Sequence, residues 1–207
     1  MKMKARQTAS KSLQAFSLAL LSILSLVAAA SAQSKQADKF SNIHVKNFGQ
    51  LDEHFYRGGQ PKEADYKDLA DLGIKTIIDL RDDPTSYEKR AAEAAGMRYI
   101  NIPMSDTKLP KEEQIQEFLK IANDPSTGAF YAHCAGGRHR TGVVGAVYRM
   151  TRYGWDYDRT YKEMKDYDFY TRWGHGAMKD YVESYWQRIQ AGEIVVQAGA
   201  ATSIPTP

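Results

Sequence analysis

A single cysteine stands in a short stretch whose other members include histidine, glycine and arginine. The stretch YAHCAGGRHRTGVV runs from Tyr131 to Val144, and Cys134 is the only cysteine among 207 residues. Free cysteine often behaves as a small buried hydrophobe, so an inert core position is the simplest interpretation. A reactive thiol is the alternative, because a cysteine becomes nucleophilic where its surroundings favour the thiolate. The residues that follow Cys134 favour the second interpretation.

Those residues are of the types that bind an oxyanion. Gly136 and Gly137 allow a tight turn and a close approach of the backbone to a ligand, and successive N–H groups in such a turn can face one anion. A helix predicted to begin near Thr141 adds the partial positive charge of its N-terminus. Arg140 can hold two phosphate oxygens with its planar guanidinium. Because the same field favours the thiolate of Cys134, the pattern predicts a phosphate-binding loop with a nucleophile beneath it.

This stretch resembles the signature of cysteine-dependent protein tyrosine and dual-specificity phosphatases, His-Cys-x-x-Gly-x-x-Arg-Ser/Thr. The resemblance extends from about Phe55 to Tyr167, includes YRGGQP and DLRDDP, and is greatest with the small, atypical dual-specificity branch. The fixed positions of the signature are all matched, by His133, Cys134, Gly137, Arg140 and Thr141.

The resemblance implies a role for each matched residue. Cys134 would attack phosphorus, Arg140 would hold the equatorial oxygens, and the Thr141 hydroxyl would hydrogen-bond the thiolate and assist the second step. His133 would orient the loop from behind. The phosphate itself would bind Ala135, Gly136, Gly137, Arg138, His139 and Arg140.

No cofactor and no metal are expected. The chemistry implied by the resemblance needs neither of them. The chain has five histidines, which are scattered and show no paired spacing typical of metal ligands.

The leaving oxygen needs a proton, and the resemblance implies that an upstream aspartate supplies it. Asp106, in PMSDTKLP, lies 28 positions before Cys134 and follows a predicted strand. A simple turn residue is the alternative, because 105–107 is also good turn chemistry. Asp82 and Asp83, after the neighbouring strand, are rival candidates for the acid.

The basic residues inside the loop bear on the substrate. Gly-Lys-His at this place is a feature of atypical plant and fungal phosphatases that act on inositol pyrophosphates, and Gly137-Arg138-His139 is similar but not the same. A protein tyrosine or dual-specificity phosphatase is the main expectation, and an inositol polyphosphate or pyrophosphate phosphatase is the alternative. A phosphate-binding module without turnover is disfavoured, because the nucleophile, the arginine and the acid are all present.

Three further features could contact the site. Arg57 and Arg81 fall at predicted strand ends, although a structural ion pair is the more ordinary role for each. The aromatic stretch 167–175 could wall a phosphotyrosine pocket. Other large residues have the helical spacing of a core, namely Tyr161, Met164, Tyr181, Tyr185 and Trp186.

Alternating strands and helices position these residues. The pattern predicts an α/β architecture with a central, mostly parallel sheet, and the resemblance implies a three-layer α/β/α fold of the protein-tyrosine-phosphatase type. Ligands in such sheets bind beyond the carboxyl ends of the strands, which is where Cys134 falls. The predicted strands are Ile74–Leu80, Met97–Met104 and GAFYAHC. The predicted helices are Pro61–Leu72, 85–96, Lys111–Asp124, Thr141–Tyr153, 156–167 and 175–191.

The first 32 residues have the pattern of a secretory signal peptide. A basic start is followed by the apolar run Leu13–Ala30 and by a small-residue cleavage site after Ala32. An uncleaved membrane anchor is the alternative. We expect a secreted or periplasmic protein whose mature form has no stable membrane span.

Removal of this segment changes the charge of the chain. The formal net charge of +3 becomes −1, because the segment carries four basic residues and no acidic ones. Nucleic acid is therefore not an expected partner, and a phosphorylated protein or a small polyphosphorylated molecule is. The remaining chain is predicted to comprise a polar arm at 33–50, a phosphatase domain at 51–192 and a disordered tail at 193–207.

Overall fold

The predicted strands form part of one five-stranded sheet in the order β1-β2-β5-β3-β4. The structure is a computed structural model and describes residues 40–194. The predicted signal peptide, residues 33–39 of the polar arm and nearly all of the predicted tail lie outside the described residues. The strands are β1 (Gly49–Gln50), β2 (Phe55–Gly58), β3 (Thr76–Arg81), β4 (Arg98–Met104) and β5 (Phe130–His133).

Four of the five strands are parallel, as the sequence predicts. β2 and β3 both pair with β5 in parallel, β4 pairs with β3 in parallel, and only β1 is antiparallel to its neighbour β2. His133 at the end of β5 is in register with Gly58 and with Asp79, so three strand ends are aligned. The sequence did not predict β1, and it indicated β2 only by a strand end at Arg57, because each strand is short and carries glycine and polar residues.

All six predicted helices are present, with ends that shift by a few residues. α4 begins two residues before the predicted start at Thr141 and therefore includes Arg140 in its first turn. Pro61 lies outside α1, in a turn where the carboxylate of Asp65 accepts a hydrogen bond from the N–H of Lys62 at 2.7 Å. The helices are α1 (Asp65–Asp71), α2 (Glu88–Ala94), α3 (Glu112–Asn123), α4 (His139–Tyr153), α5 (Tyr157–Asp166) and α6 (Gly176–Gln190).

The two faces of the sheet are covered by different helices, which gives the predicted three layers. Alternate side chains of a strand point to opposite faces. Ile78 and Leu80 belong to the large core that also contains α4, whose Val143 and Val147 are fully buried. On the opposite face, His133 forms an ion pair with Glu88 of α2.

The residues predicted to be core at helical spacing are core. Met164, Tyr181 and Tyr185 belong to the large cluster, and Tyr161 and Trp186 pack against it. Among residues 40–194, no helix is both long and apolar enough to cross a membrane.

Candidate active site

The carboxyl ends of the parallel strands meet around one loop. Cys134 follows β5, and the chain then turns through residues 135–138 into α4. Ala135 is exposed and Gly136 is half-buried, so this part of the loop faces outwards. Because β5 lies between β2 and β3, the segments after those two strands flank the loop. The fold thus places the predicted phosphate-binding residues where ligands of such sheets bind.

Gly137 is a glycine because its backbone conformation and its surroundings both require one. Its φ is 67°, in the left-handed region. A Cβ atom on Gly137 would lie 2.4 Å from the carbonyl carbon of Gly58. The carbonyl of Gly137 accepts hydrogen bonds from Asn47 Nδ2 at 2.9 Å and from the guanidinium of Arg57. The loop is therefore held closely against the end of β2.

Arg57 stabilises the loop from beneath. The expectation that this residue forms a structural ion pair is wrong. Its side chain is 1% exposed, and among the described residues it forms no ion pair. The guanidinium lies 3.9 Å from the centre of the Tyr167 ring, in a cation–π contact. For Arg81 the expectation is confirmed, since its Nη2 lies 3.0 Å from Asp83 Oδ2.

Cys134 is almost fully buried at the base of the loop, with 3% of its surface exposed. Burial alone would raise the pKa of the Cys134 thiol, but three other effects outweigh it and lower this pKa below its usual value. They are the hydroxyl and N–H groups of Thr141, the positive charge of Arg140 and the backbone N–H of Arg138. Cys134 therefore has the surroundings of a nucleophilic thiolate rather than of an inert core residue.

Arg140 connects the loop to the ends of β3 and β4. Its Nη1 donates to Asp82 Oδ1 and to the backbone carbonyl of Met104, both at 3.0 Å. The guanidinium therefore lies beside the segment that carries Asp106, two residues after Met104. The two rival candidates for the acid are both in ion pairs, Asp82 with Arg140 and Asp83 with Arg81.

Asp106 has an exposed carboxylate that forms no hydrogen bond or ion pair with the rest of the described chain. The turn chemistry at this place belongs to Ser105, whose Oγ accepts from the N–H groups of Thr107 and Lys108 at 3.4 and 3.3 Å. The main-chain carbonyl of Asp106 accepts a hydrogen bond from His175 Nδ1 at 2.8 Å. The Asp106 carboxylate is thus available to a substrate, while the backbone of Asp106 is held in place by His175.

His133 lies behind the nucleophile in a fully buried ion pair. Its Nε2 is 2.6 Å from Glu88 Oε1, and its Nδ1 is 4.0 Å from Asp79 Oδ1. Burial alone would lower the pKa of His133, but the Glu88 and Asp79 carboxylates raise it above the usual value. Gln60 supports the pair by donating to Glu88 Oε2 at 2.9 Å.

The donor atoms of Asp79, Glu88 and His133 all lie within 4.8 Å of one another, which is close enough to consider a metal ion. Two ligands bound to one zinc ion at about 2 Å each would lie roughly 3 Å or more apart. The 2.6 Å between His133 Nε2 and Glu88 Oε1 is shorter than that separation and is the distance of a close ion pair. In this arrangement the cluster is a buried ion pair.

The two extra basic residues of the loop differ from each other. His139 is buried and is not the additional cation that the sequence suggests, because burial and the neighbouring His175 lower its pKa to about 4. Arg138 is partly exposed, and its Nη2 lies 3.7 Å from Asp168 Oδ2. A cavity of about 490 Å³ opens beside it, lined by Arg138, Lys165, Asp168, Phe169, Tyr170, Arg172 and Trp173.

Two residues of the site, Asn47 and Glu88, were not recognised as such from the sequence. Asn47 lies in the predicted polar arm and Glu88 on a surface-like helix. Arg57 and the stretch that ends at His175 were named as possible site contacts, but nothing in the sequence indicated which contacts they make. Each reaches the site through a contact between segments far apart in the chain. Only Glu88 had a signal in the local sequence. Two alanines follow it within about one helical turn, and such small residues indicate the helix face that packs against the protein.

Comparisons with known proteins agree with this geometry. The model of the family described as DSP-PTPase phosphatase fused to NAD+ kinase matches residues 30–178. The chain is 32% identical over 130 residues to a Dictyostelium discoideum protein named probable tyrosine-protein phosphatase DG1060, covering 60% of this chain and 77% of the relative. It is 30% identical over 115 residues to inositol diphosphatase DSP4 of Arabidopsis thaliana, covering 52% of this chain and 57% of that protein.

Among solved structures, the chain is similar to the core catalytic domain of the PP-IP phosphatase SIW14 from S. cerevisiae. The TM-score is 0.61 at 18% sequence identity, and the similarity covers 75% of this chain and 97% of the other. At that identity the likeness shows the fold. Because the family model spans most of the chain and includes the whole cysteine loop, the chain belongs to the DSP-PTPase family of that description and is a cysteine-dependent phosphatase of the dual-specificity type.

Proposed function

We propose that Cys134 and Asp106 hydrolyse phosphate monoesters in two steps without a metal ion. Sγ of Cys134 attacks phosphorus and the bond to the leaving oxygen breaks, while Asp106 gives that oxygen a proton. Water then attacks the phosphocysteine, Asp106 takes a proton from the water, and the S–P bond breaks to release phosphate. The observation that carries the proposal is the buried Cys134 with Arg140 fixed beside the segment that bears Asp106.

The loop and the bound arginine supply most of the catalytic effect in this proposal. Backbone N–H groups of residues 135–140 and the guanidinium of Arg140 face the place where the transferring phosphoryl group carries charge. Arg140 must exchange its contact with Asp82 for the phosphate oxygens. Thr141 stabilises the thiolate in the free enzyme and as it leaves in the second step.

We propose phosphorylated proteins as the first substrate class. Two large apolar side chains remain exposed in the described part of the chain, Leu109 at 58% and Trp173 at 74%. Leu109 lies on the loop of Asp106, and Trp173 lies on the segment that contacts this loop through His175. Apolar groups beside the site can contact the residues that flank a phosphorylated side chain. The name of the Dictyostelium relative supports this class.

An inositol polyphosphate is the second candidate, and the cavity beside Arg138 favours it. Three cations, Arg138, Lys165 and Arg172, line this cavity with a single carboxylate. A molecule with several phosphates could place one at Cys134 and another among these cations. The Arabidopsis relative is named an inositol diphosphatase.

Phosphate release in the presence of a metal chelator tests both steps of the proposal. The purified chain and Cys134→Ser would be compared on a phosphotyrosine peptide, a phosphothreonine peptide and inositol hexakisphosphate. We expect release that depends on Cys134, fastest with a phosphopeptide. Faster release from the inositol phosphate would establish the second candidate. Release by Cys134→Ser, or none by the reduced parent chain, would contradict the cysteinyl-phosphate mechanism.

We also propose that the protein acts outside the cytoplasm after removal of residues 1–32. The basic start, the apolar run and the small residues before Gln33 support this location. Expression of the full chain in a bacterial host, followed by fractionation and N-terminal sequencing, tests it. A mature protein that begins at Gln33 in the periplasmic fraction is the expected result, and an intact N-terminus in the cytoplasm would contradict it.

A further inference from the structure

We propose that His175 is a positioning residue for the general acid, and that it fixes the Asp106 loop to the catalytic loop by stacking on His139. The proposal rests on the role of Asp106 proposed above. Its basis is a continuous set of contacts that runs from the first residue of α4, through two imidazole rings, to the backbone of Asp106.

The two imidazole rings form a close parallel stack. Their centroids are 3.5 Å apart and their planes differ by 8°. His139 precedes Arg140 directly, so its ring moves with the catalytic loop. His175 is the residue before α6, and both histidines are buried. The stack therefore joins the catalytic loop to a segment from a different part of the chain.

Each imidazole ring also forms a hydrogen bond to a backbone carbonyl, which determines which ring nitrogen carries a proton. A carbonyl oxygen can only accept, so His175 Nδ1 must donate its proton to the Asp106 carbonyl, at 2.8 Å. His139 Nε2 likewise donates to the Tyr170 carbonyl at 3.1 Å. Each ring is thus fixed in one tautomer, and the stack is held at both ends by backbone.

The same two segments are also near each other one residue earlier. Gly174, directly before His175, has a φ of 89°, and a Cβ atom there would be in van der Waals contact with Cγ2 of Thr107, at 3.4 Å. The segment therefore passes beside the residue after Asp106. Since the Asp106 carboxylate itself has no described partner, its position depends on its backbone, which His175 holds through the hydrogen bond to the Asp106 carbonyl.

The consequence for catalysis is specific to proton donation. A displaced acid loop slows the departure of leaving groups that need a proton, while leaving groups of low basicity depart without help. The nucleophile and Arg140 do not depend on the His175 hydrogen bond. Loss of that bond should therefore act on poor leaving groups and spare good ones.

The test compares four variants on a series of aryl phosphates whose leaving groups differ in basicity. Asp106→Asn removes the acid and sets the reference. His175→Phe keeps a flat ring but no donor. His175→Asn places an amide nitrogen near the position of Nδ1, whereas His175→Gln places it near Nε2 and serves as the matched control.

We expect His175→Phe and His175→Gln to lose about tenfold in kcat on the most basic leaving group and less than twofold on the least basic one, since one hydrogen bond is lost. His175→Asn should recover part of this loss, because it restores the donor but not the stacked ring. The rate of Cys134 alkylation by iodoacetate should be unchanged in all three, which shows an intact, folded nucleophile.

Two results would overturn the inference. One is a His175→Phe variant with the leaving-group dependence of the parent enzyme, and the other is an equal loss on all substrates together with a changed alkylation rate. The Asp106→Asn variant distinguishes these two results from the case in which Asp106 is not the general acid. If it shows no increased dependence on leaving-group basicity, Asp106 is not the acid, and the inference fails with it.

Discussion

Cys134 depends on residues from α4 for its chemistry, although it follows a strand. Thr141 and Arg140 both lie in the first turn of α4, and both lower the pKa of the Cys134 thiol against the opposing effect of burial. The helix therefore supplies a hydroxyl and a guanidinium in addition to its N-terminal partial charge. The protonation state of one atom is thus set by how the loop enters the helix.

Replacing Thr141 by valine should raise the pKa of the Cys134 thiol, because the hydroxyl that favours the thiolate is lost while burial remains. The midpoint of the pH dependence of iodoacetamide alkylation should therefore move upwards. Thr151→Val is the control, since that hydroxyl donates to the Val147 carbonyl at 2.7 Å within the same helix. An unchanged midpoint in Thr141→Val would contradict the role of the hydroxyl.

Replacing Gly137 by alanine should abolish activity, whereas Gly136→Ala should be tolerated. A Cβ atom at Gly137 would meet backbone at 2.4 Å and would sit at a positive φ. At Gly136 the nearest atoms, of the flexible Arg138 side chain, are 3.8 Å away. The measurement is kcat together with thermal unfolding. Equal effects of the two substitutions would show that the loop conformation is not what Gly137 provides.

At the scale of elements, strongly periodic segments could be predicted and the weakly patterned ones could not. α3 was recognised within one residue at each end, because Ile115 and Phe118 repeat at helical spacing among charged residues. β3 was recognised because it is apolar and buried on both faces. β1 has two residues and takes its conformation from pairing with β2, a contact that local sequence does not encode.

The residues of the candidate site also divide into those that could be predicted from the sequence and those that could not. Cys134, Arg140 and Thr141 lie within one continuous motif and could be named from it. Asn47 and His175 act through hydrogen bonds to backbone carbonyls of distant segments. Any residue with a donor could fill such a role, so residue type alone does not identify them. The pKa of His139 depends on its burial, which a loop sequence does not reveal.

The ion pair between β5 and α2 should make stability depend on pH in a defined direction. Burial alone would raise the pKa of Glu88, but His133 lowers it, while Glu88 raises the pKa of His133. The Glu88 contribution is present above its ordinary pKa of about 4.3 and is lost as pH falls through the lowered value. The His133 contribution is complete below about pH 6.5 and is lost as pH rises through the raised value.

Replacing Glu88 by glutamine should lower the free energy of unfolding at pH 6 by about 3 kcal/mol, because a buried charge loses its partner. The parent protein should lose stability as pH rises above 6.5, and the variant should lack most of that decline. Urea unfolding at several pH values measures both effects. Glu93→Gln on the same helix is the control, since that residue is exposed. A parallel pH dependence in parent and variant would contradict the pair.

At the scale of the whole molecule, three cationic side chains line one cavity where the catalytic loop meets the segment between α5 and α6. Arg138 from the loop and Arg172 from that segment share a cavity, and Arg172 also lies 5.0 Å from the Trp173 ring centre. Residues 33–207 have a formal charge of −1, so this cluster is a local feature. Substrate choice is therefore expected to follow from this cavity rather than from the overall field.

Replacing Arg172 by glutamine should reduce kcat/KM for inositol hexakisphosphate by roughly tenfold, because one charge-assisted contact is lost. A peptide with a single phosphate and no acidic residues should change less than twofold. Arg90→Gln is the control, since Arg90 forms an exposed ion pair with Glu63 on α2's side of the sheet. Equal losses on both substrates would show that the cavity does not bind a second anionic group.

The hydrogen bond from Asn47 to the catalytic loop also has a consequence for the order of events during folding. Asn47 Nδ2 contacts the carbonyls of Gly137 and Tyr167, which are 90 and 120 positions away in the chain. Contacts of such separation form late in folding, because the entropy of closing long loops must be overcome first. The loop conformation that brings Thr141, Arg140 and the N–H of Arg138 to Cys134 should therefore be reached only when folding is almost complete. In a refolding experiment, rapid alkylation of Cys134 should appear after the sheet has formed.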